Sequence, residues 1–169
     1  MITEIEIKLI NHYAEKHLES SFEYYRLRNS NLSKSKALAD IKLGKMAELG
    51  LYKILKAENK IVSKPDLEVY KSSQKSYAAD LMAFDFKNVY HLHVKCISEN
   101  FWARGIKSVL LERNDKIVSR QHDCKNHFLV IMRKINNYNF EAVKWLHVPD
   151  VKYQDPINRN MKSKVAVYI

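Results

Sequence analysis

The first third of the chain has the hydrophobic spacing of helices. From about residue 3 to residue 28, and again from 34 to 57, apolar residues recur every three or four positions, with charges of both signs between them. This is the pattern of an amphipathic helix with one apolar stripe. Polar residues 29–31 separate the two runs and can cap the second. Gly44 and Gly50 each cost the second helix about 1 kcal/mol relative to alanine. Two interpretations stay open: close packing around Glu48, or an ordinary packing requirement unrelated to it.

The rest of the chain is patterned as short strands. Apolar and polar residues alternate with a period of two in several runs, as in half-buried strands. These runs are 64–70, 79–84, 89–96, 107–113, 126–135, 140–148 and 164–169. Between the third and fourth runs, residues 98–107 form a connection with a short helix near 101–104. The sequence thus predicts an α/β (α+β) fold, in which two N-terminal helices precede a mixed β-sheet with flanking helices.

Length and charge narrow the class of protein. A chain of 169 residues suits one domain, with a helical part at 1–57 and a sheet-rich catalytic part at 58–169. The 29 Lys and Arg against 19 Asp and Glu give a net charge of +10, which favours nucleic acid as a partner. No glycine-rich phosphate loop occurs. Two cysteines without a Cys-x-x-Cys pair, and no apolar run of about 18 residues, predict a soluble cytoplasmic protein without a membrane segment.

A predicted hairpin carries the candidate chemistry. If residues 87–88 form a two-residue loop, Phe86 faces Val89 across the two strands. Counting back along both strands then sets Asp80 opposite Lys95. The hairpin therefore predicts a carboxylate and an ammonium as cross-strand neighbours.

Alternation gives this hairpin two unlike faces. In the same register Met82 faces His93, so Asp80, His93 and Lys95 converge on one side. The other side is an apolar face suited to a core, formed by Leu81, Ala83, Leu92, Val94 and Cys96. A carboxylate, an imidazole and an ammonium on one strand pair are suited to metal-assisted cleavage of a phosphodiester.

Asp80, followed fifteen positions later by Lys95, resembles the PD-(D/E)XK, or restriction-endonuclease-like, nuclease superfamily. In that superfamily a helix carrying a glutamate precedes an aspartate strand and then a strand that reads acid-x-lysine. Here Glu48 lies in the second predicted helix, and the last motif reads His93-x-Lys95. Residues 108–113 are expected to be the next core strand. The resemblance thus follows the order of the superfamily.

The resemblance implies a divalent-metal-dependent endonuclease that acts on DNA, with Mg²⁺ or Mn²⁺ as cofactor. Asp80, His93 and the backbone carbonyl of Val94 would hold the metal. Lys95 would assist the attacking water, and Glu48 would support the site from the helix. Enzymes of this kind commonly act as dimers, and whether this chain forms a homodimer stays open, as does RNA as a substrate.

The resemblance spans roughly residues 40–130 and has one departure. His93 stands where the superfamily has Glu or Asp, and neutral imidazole adds no negative charge and favours softer ions than magnesium. Three interpretations stay open: His93 is a substituted ligand or base, the site is weakened, or catalysis is lost. The last would leave a nucleic-acid-binding protein of the same fold. A partner-binding domain with incidental basicity is a third function class.

Basic and amide residues around this site are candidate contacts for the nucleic-acid backbone. They are Lys45, Lys71, Gln74, Lys75, Arg104 and Lys107. Lys45 lies one helical turn before Glu48, so it can instead pair with that residue.

Three alternative assignments stay open. Asp66, in a literal Pro-Asp dipeptide, could replace Asp80 as the catalytic aspartate. His91 shares a face with His93 and could form a metal pair with it. Residues 121–127 gather several zinc-type ligands, although a polar turn before a strand is the simpler interpretation.

Overall fold

The computed structural model describes residues 1–28, 33–69, 79–158 and 161–169. The helices of this part are α1 Glu4–Arg28, α2 Lys34–Ala57, α3 Glu99–Ala103 and α4 Lys116–Ser119. Its strands are β1 Ile61–Val62, β2 Leu81–Phe84, β3 Val89–Ile97, β4 Ser108–Glu112, β5 His127–Lys134, β6 Phe140–His147 and β7 Lys164–Tyr168. The fold is mixed α+β, as predicted. None of the described helices is both long and apolar enough to span a membrane.

Both long helices occur where the periodicity predicts them, and each begins at a capping side chain. Thr3 and Glu6 form a capping box at α1, in which the Thr3 N–H donates to the Glu6 carboxylate at 2.8 Å. At α2, the Ser33 hydroxyl accepts from the Lys36 N–H at 3.2 Å. The cap suggested by the sequence, within 29–31, lies outside the described residues.

The main sheet has five strands in the order β1-β2-β3-β5-β6. Only β3 and β5 are parallel, and the other neighbours are antiparallel. Strand β5 has four consecutive fully buried residues, 129–132, and so is apolar on both faces, as the centre of a covered sheet requires. The helix α2 covers one face of this sheet.

Residues 108–113 do not form the expected next strand of the main sheet. That segment contains β4, which pairs with β7 in a separate two-stranded antiparallel sheet. The physical reason is that β4 is apolar on one face only: Val109 and Leu111 are buried, whereas Leu110 is exposed. Such a strand suits a covering layer, and β5 takes the place beside β3.

Two apolar clusters hold these layers together. The inner core lies between α2 and the main sheet; its buried residues are Ala47, Leu51, Leu55, Leu81, Leu92, Val94, Val130 and Met132. The outer core lies on the opposite face, where Ile97, Leu129 and Ile131 of the main sheet cluster with Val109 and Val167 of the small sheet. Strand β3 therefore has a separate core on each side.

The register of the β2–β3 hairpin differs from the prediction. Phe84, not Phe86, pairs with Val89, so the loop has four residues, 85–88. The cause is the Asp85 carboxylate, which accepts the N–H groups of Lys87 and Asn88 at 2.8 and 2.7 Å and closes a wider turn.

A shift of two residues leaves the faces of the hairpin unchanged, because side chains alternate with a period of two. The predicted apolar face is therefore confirmed, and it packs in the inner core. The cross-strand neighbours change, however. Met82 pairs with His91 instead of His93. The ladder ends at the Leu81–Leu92 pair, and continuing its register would set position 80 opposite His93. The prediction of Asp80 opposite Lys95 is therefore wrong.

Candidate functional site

Asp80 immediately precedes β2, whose antiparallel ladder with β3 starts at the Leu81–Leu92 pair. Its Oδ2 accepts the backbone N–H of Val94 at 2.7 Å. The carboxylate thus gives the Val94 N–H the acceptor that a backbone carbonyl of a neighbouring strand would otherwise provide. A hydrogen bond from an N–H to a charged carboxylate is among the stronger kinds in proteins, so it fixes the Asp80 side chain at the edge of β3.

Glu48 approaches the same region from α2. It is 6% exposed, and its carboxylate Oε2 lies 2.7 Å from Nζ of Lys45. Burial and the negative charge of Asp80 raise the pKa of Glu48 to about 8, against the opposing effects of Lys45 and Lys95. Asp80 and Glu48 are therefore close enough to repel each other.

Lys45 pairs with Glu48, one of the two arrangements that the sequence left open. Burial alone would lower the pKa of Lys45, but the attraction of Glu48 outweighs it and the pKa is raised. Lys45 Nζ also lies 5.4 Å from the centre of the Tyr13 ring. Its contact with nucleic acid stays a prediction.

Three histidines stack across β3 and β5. His91 and His127 are ladder partners, with ring centres 4.5 Å apart, and the His93 and His127 rings are 5.1 Å apart. His93 Nε2 and His127 Nδ1 form a hydrogen bond of 2.8 Å, so at least one of the two rings is neutral. This stack lies on the outer-core face of the sheet, beside Asp80.

Burial keeps the imidazoles of His93 and His127 from protonating easily. It lowers the pKa of His93, although Asp80 and Asp115 oppose the effect. The pKa of His127 falls to about 4, through burial and the neighbouring His93 and His91. At neutral pH both rings are therefore uncharged, as a base or a metal ligand must be.

Lys95 is half-buried on β3, on the same face as His93. Its positive charge acts on Glu48 and on His93, lowering the pKa of each as a smaller effect than burial. The structure thus brings together all four predicted catalytic residues, Glu48, Asp80, His93 and Lys95. Their catalytic roles stay a prediction.

The oxygen donors of the site fit a partly hydrated hard cation. Magnesium is commonly held by one or two carboxylates and several waters, and Asp80 and Glu48 can supply those carboxylates. The described parts of the chain contain no group of three or more His, Cys, Asp or Glu side chains arranged as a metal cage. Val94 gives its N–H to Asp80. The predicted roles of its carbonyl and of His93 as metal ligands stay predictions.

The predicted nucleic-acid contacts are scattered. Lys71, Gln74 and Lys75 lie outside the described residues. Arg104 is exposed at the end of α3. Lys107 Nζ lies 5.1 Å from the centre of the Trp102 ring, and the guanidinium carbon of Arg133 lies 4.7 Å from it.

Arg133 was missed in the sequence because its neighbours come from distant segments. It pairs with Ile97 one strand away and lies over Trp102. His127 was missed as a partner of His93 for the same reason, since its only sequence signal was a place at the end of a polar loop. Lys107 and Arg133 thus place two cations against the Trp102 ring near the end of β3, and Arg133 also forms an ion pair with Glu141 at 3.3 Å.

The other open assignments find ordinary structural roles. Asp66 is exposed, and its carboxylate accepts the Glu68 N–H at 2.8 Å within a turn. In the 121–127 loop, the Gln121 amide donates to three backbone carbonyls near the end of β6, at 2.8–3.0 Å. The Cys124 thiol is buried and donates to the Arg120 carbonyl. This loop is a turn that leads into β5.

Comparison with known proteins adds no family to this geometry. No protein-family model matches the chain, and no curated protein matches it in sequence. Function has to be inferred from the contacts of the described residues.

Proposed function

We propose that this protein is a divalent-metal-dependent endonuclease that hydrolyses DNA phosphodiester bonds, of the restriction-endonuclease-like kind. The observation that carries the proposal is the proximity of Asp80 to buried Glu48, whose pKa Asp80 helps to raise. A divalent cation bound between two carboxyl groups removes the electrostatic repulsion between them.

The order of the elements supports the proposal. Helix α2 carries Glu48 and precedes β2, and β2 pairs directly with the lysine strand β3. The charge of +10 suits a polyanionic substrate, and the cations Lys107 and Arg133 lie on the same outer face as Lys95. These features do not depend on the electrostatic effect of Asp80 on Glu48.

In this proposal Asp80 and Glu48 hold the metal. A bound Mg²⁺ or Mn²⁺ supplies Lewis acidity toward the phosphate and lowers the pKa of its water. Lys95 stabilises the negative charge that develops on the phosphoryl oxygens. His93 is neutral, and if its Nε2–H donates to His127, its basic Nδ1 accepts a proton from the attacking water. Lys45 keeps Glu48 oriented.

The test is cleavage of supercoiled plasmid and of single-stranded DNA with Mg²⁺ or Mn²⁺. Wild type should cut, and Asp80→Ala and Lys95→Ala should not, with circular dichroism showing intact folding. Lys8→Ala, which removes an exposed lysine on α1, is the matched control and should cut normally. Cleavage that survives both site variants would come from a contaminant and would overturn the proposal.

A second function has one observation in its favour. His93 stands where the superfamily has a carboxylate, and its Nε2 is engaged by His127. A catalytically degenerate DNA-binding protein of the same fold would have this feature. It predicts salt-sensitive DNA binding without metal-dependent cleavage by the wild type.

A further inference from the structure

Among the described residues, an apolar surface is exposed at the loop end of strands β1, β2 and β3. Ile61, Phe84 and Val89 are in register across the three strands and are 67%, 37% and 39% exposed. Met82, on the same face two residues along β2, is 37% exposed, and Phe86 in the loop is fully exposed. We refer to these five residues as the hairpin face.

The hairpin face is not needed for either core. On the opposite face of the same strands, Val62, Ala83 and Tyr90 pack against the inner core. The small β4–β7 sheet covers the other end of the main sheet, over residues such as Ile97. Contiguous exposed apolar surface of this kind marks an interaction site more often than a packing defect.

The hairpin face is continuous with the proposed catalytic site. Along β3, Val89, His91, His93 and Lys95 follow one another on the same side because side chains alternate. On β2, Phe84 lies four residues from Asp80, or roughly 13 Å at the rise of a strand. A few nucleotides of an extended strand that enters the site can therefore reach Phe84 and the loop.

We propose that the hairpin face stacks the unpaired bases of single-stranded nucleic acid that extends from the phosphodiester site. This inference rests on the proposed function and names its substrate class: single-stranded or locally unpaired DNA. Aromatic side chains stack on any base, and the combination of such rings with nearby cations is the usual single-strand binding device. A duplex keeps its base faces stacked inside and cannot use the rings of Phe84 and Phe86.

Charge favours nucleic acid over another apolar surface as the occupant. Lys60 precedes Ile61, Lys87 follows Phe86, and both lysines are exposed. The one acid in the loop, Asp85, stays ionised, because hydrogen bonds from the loop N–H groups and the Tyr90 hydroxyl lower its pKa to about 2; these donors hold its carboxylate in the turn. The hairpin face is therefore flanked by available positive charge.

The experiment measures binding by fluorescence anisotropy, with EDTA present so that no cleavage occurs. The probes are labelled oligothymidylate, an abasic oligonucleotide of the same length and charge, and a duplex of the same length. We expect Phe86→Ala to weaken oligothymidylate binding by about tenfold and to leave abasic and duplex binding unchanged. Phe86→Trp should retain the affinity, and Ile157→Ala, at an 87% exposed position elsewhere, should have no effect.

Since Phe86 is fully exposed, its variants should fold; Phe84→Ala is the second variant and should act in the same direction. Equal losses on all three probes, or no loss on any, would overturn the inference. It would also be overturned if sedimentation showed self-association that Phe86→Ala abolishes, without base-dependent binding, because the face would then be a contact between copies of the chain.

The two proposals can fail separately. Base-dependent binding without Asp80-dependent cleavage would overturn the nuclease and leave the hairpin face as a single-strand binding surface. If cleavage depends on Asp80 but the affinity for oligothymidylate is the same in Phe86→Ala and wild type, only the base-stacking role would be overturned. Cleavage and binding are therefore measured on the same preparations of wild type, Asp80→Ala and Phe86→Ala.

Discussion

The Asp80 carboxylate and the Val94 backbone N–H are joined by a 2.7 Å hydrogen bond at the point where β2 ends as a partner of β3. Asp80 consequently has a structural role that is separate from its proposed metal ligation. Its oxygen satisfies a main-chain donor, while its charge raises the pKa of Glu48. Variants at this position have to separate the two roles.

Asp80→Asn and Asp80→Ala should differ in stability but not in activity. Asparagine keeps an oxygen acceptor for Val94, so its free energy of unfolding should stay within about 1 kcal/mol of wild type. Alanine leaves the N–H without its acceptor and should cost about 1–3 kcal/mol. Urea denaturation measures both values. Magnesium-dependent cleavage should fall at least about a hundredfold in each variant, and an active Asp80→Asn protein would exclude the ligand role.

Lys95→Met should lower the single-turnover cleavage rate by about 10²–10³, the usual loss when one group that stabilises transition-state charge is removed. Lys95→Arg keeps the charge in a different geometry and should recover part of the rate. The matched control is Lys8→Ala at an exposed position of α1. A rate for Lys95→Met within a factor of three of wild type would mean that this ammonium takes no part in the chemistry.

His93→Asp restores the acid-x-lysine pattern and supplies a hard, charged oxygen ligand. If His93 is a weak substitute, the variant should cut at least about tenfold faster with Mg²⁺, and the preference for Mn²⁺ should shrink. In wild type, cleavage should decline as His93 protonates, and this should occur at a lower pH than for an ordinary imidazole because burial lowers the pKa of His93. The variant should lose that decline.

The control for this exchange is His91→Asp, which adds a carboxylate two residues away on the same face. Activation by both exchanges would indicate a general effect of charge. An inactive His93→Asp protein beside an active wild type would instead show that the imidazole itself is needed, as a base.

Glu48→Gln should change how stability depends on pH. The pKa of Glu48 is about 8 in the folded protein and near 4.5 in its ordinary state, so between these values the folded protein keeps a proton that the unfolded chain has lost. This carboxyl therefore lowers stability as pH rises through the window, by at most about 1.4 kcal/mol per pH unit. Because glutamine does not titrate, the Glu48→Gln variant should lack this pH-dependent loss of stability.

Urea denaturation across pH 5–8 tests this expectation. The stability of Glu48→Gln relative to wild type should increase steadily with pH. Glu99→Gln, which removes an exposed glutamate on α3, should keep the wild-type slope. A constant difference between Glu48→Gln and wild type would mean that Glu48 is ionised throughout and that Lys45 compensates for its burial.

The two glycines of α2 should respond oppositely to alanine. A Cβ on Gly50 would lie 2.9 Å from Cβ of Phe140, the stem of a side chain on β6 that cannot move aside easily. Gly50→Ala should therefore lower the free energy of unfolding by about 1–3 kcal/mol. Nothing lies within 4 Å of a Cβ on Gly44, so Gly44→Ala should stabilise by up to about 1 kcal/mol. Differential scanning calorimetry compares the pair.

What the sequence predicts well here is local. The bounds of α2 follow from apolar spacing, and the division of the hairpin into two faces survives a wrong register because alternation is unaffected by a shift of two residues. The register itself depends on a side chain, since the Asp85 carboxylate closes a four-residue loop. An alternation pattern does not contain that information.

What the sequence does not predict is contact between distant segments. His127 lies beside His93 because β3 and β5 pair in parallel. Strand β5 occupies this central place because it is apolar on both faces. The alternation of apolar and polar residues in β4 predicts a strand, but it does not tell whether that strand joins the main sheet or pairs with β7. Of the candidate site, the four residue types were available from motif order, whereas the histidine stack and the pairing of Lys107 and Arg133 over Trp102 were not.

The parallel pairing of β3 with β5 also determines when the site can form. During synthesis on the ribosome, β3 emerges while residues 98–126 and all of β5 are still to come. Until then its long edge has no partner on that side, and unpaired edges are where chains mispair and aggregate. Non-local pairing of this kind is slow to form. The strand that carries His93 and Lys95 is thus completed late, and a truncated chain that ends before β5 would expose it.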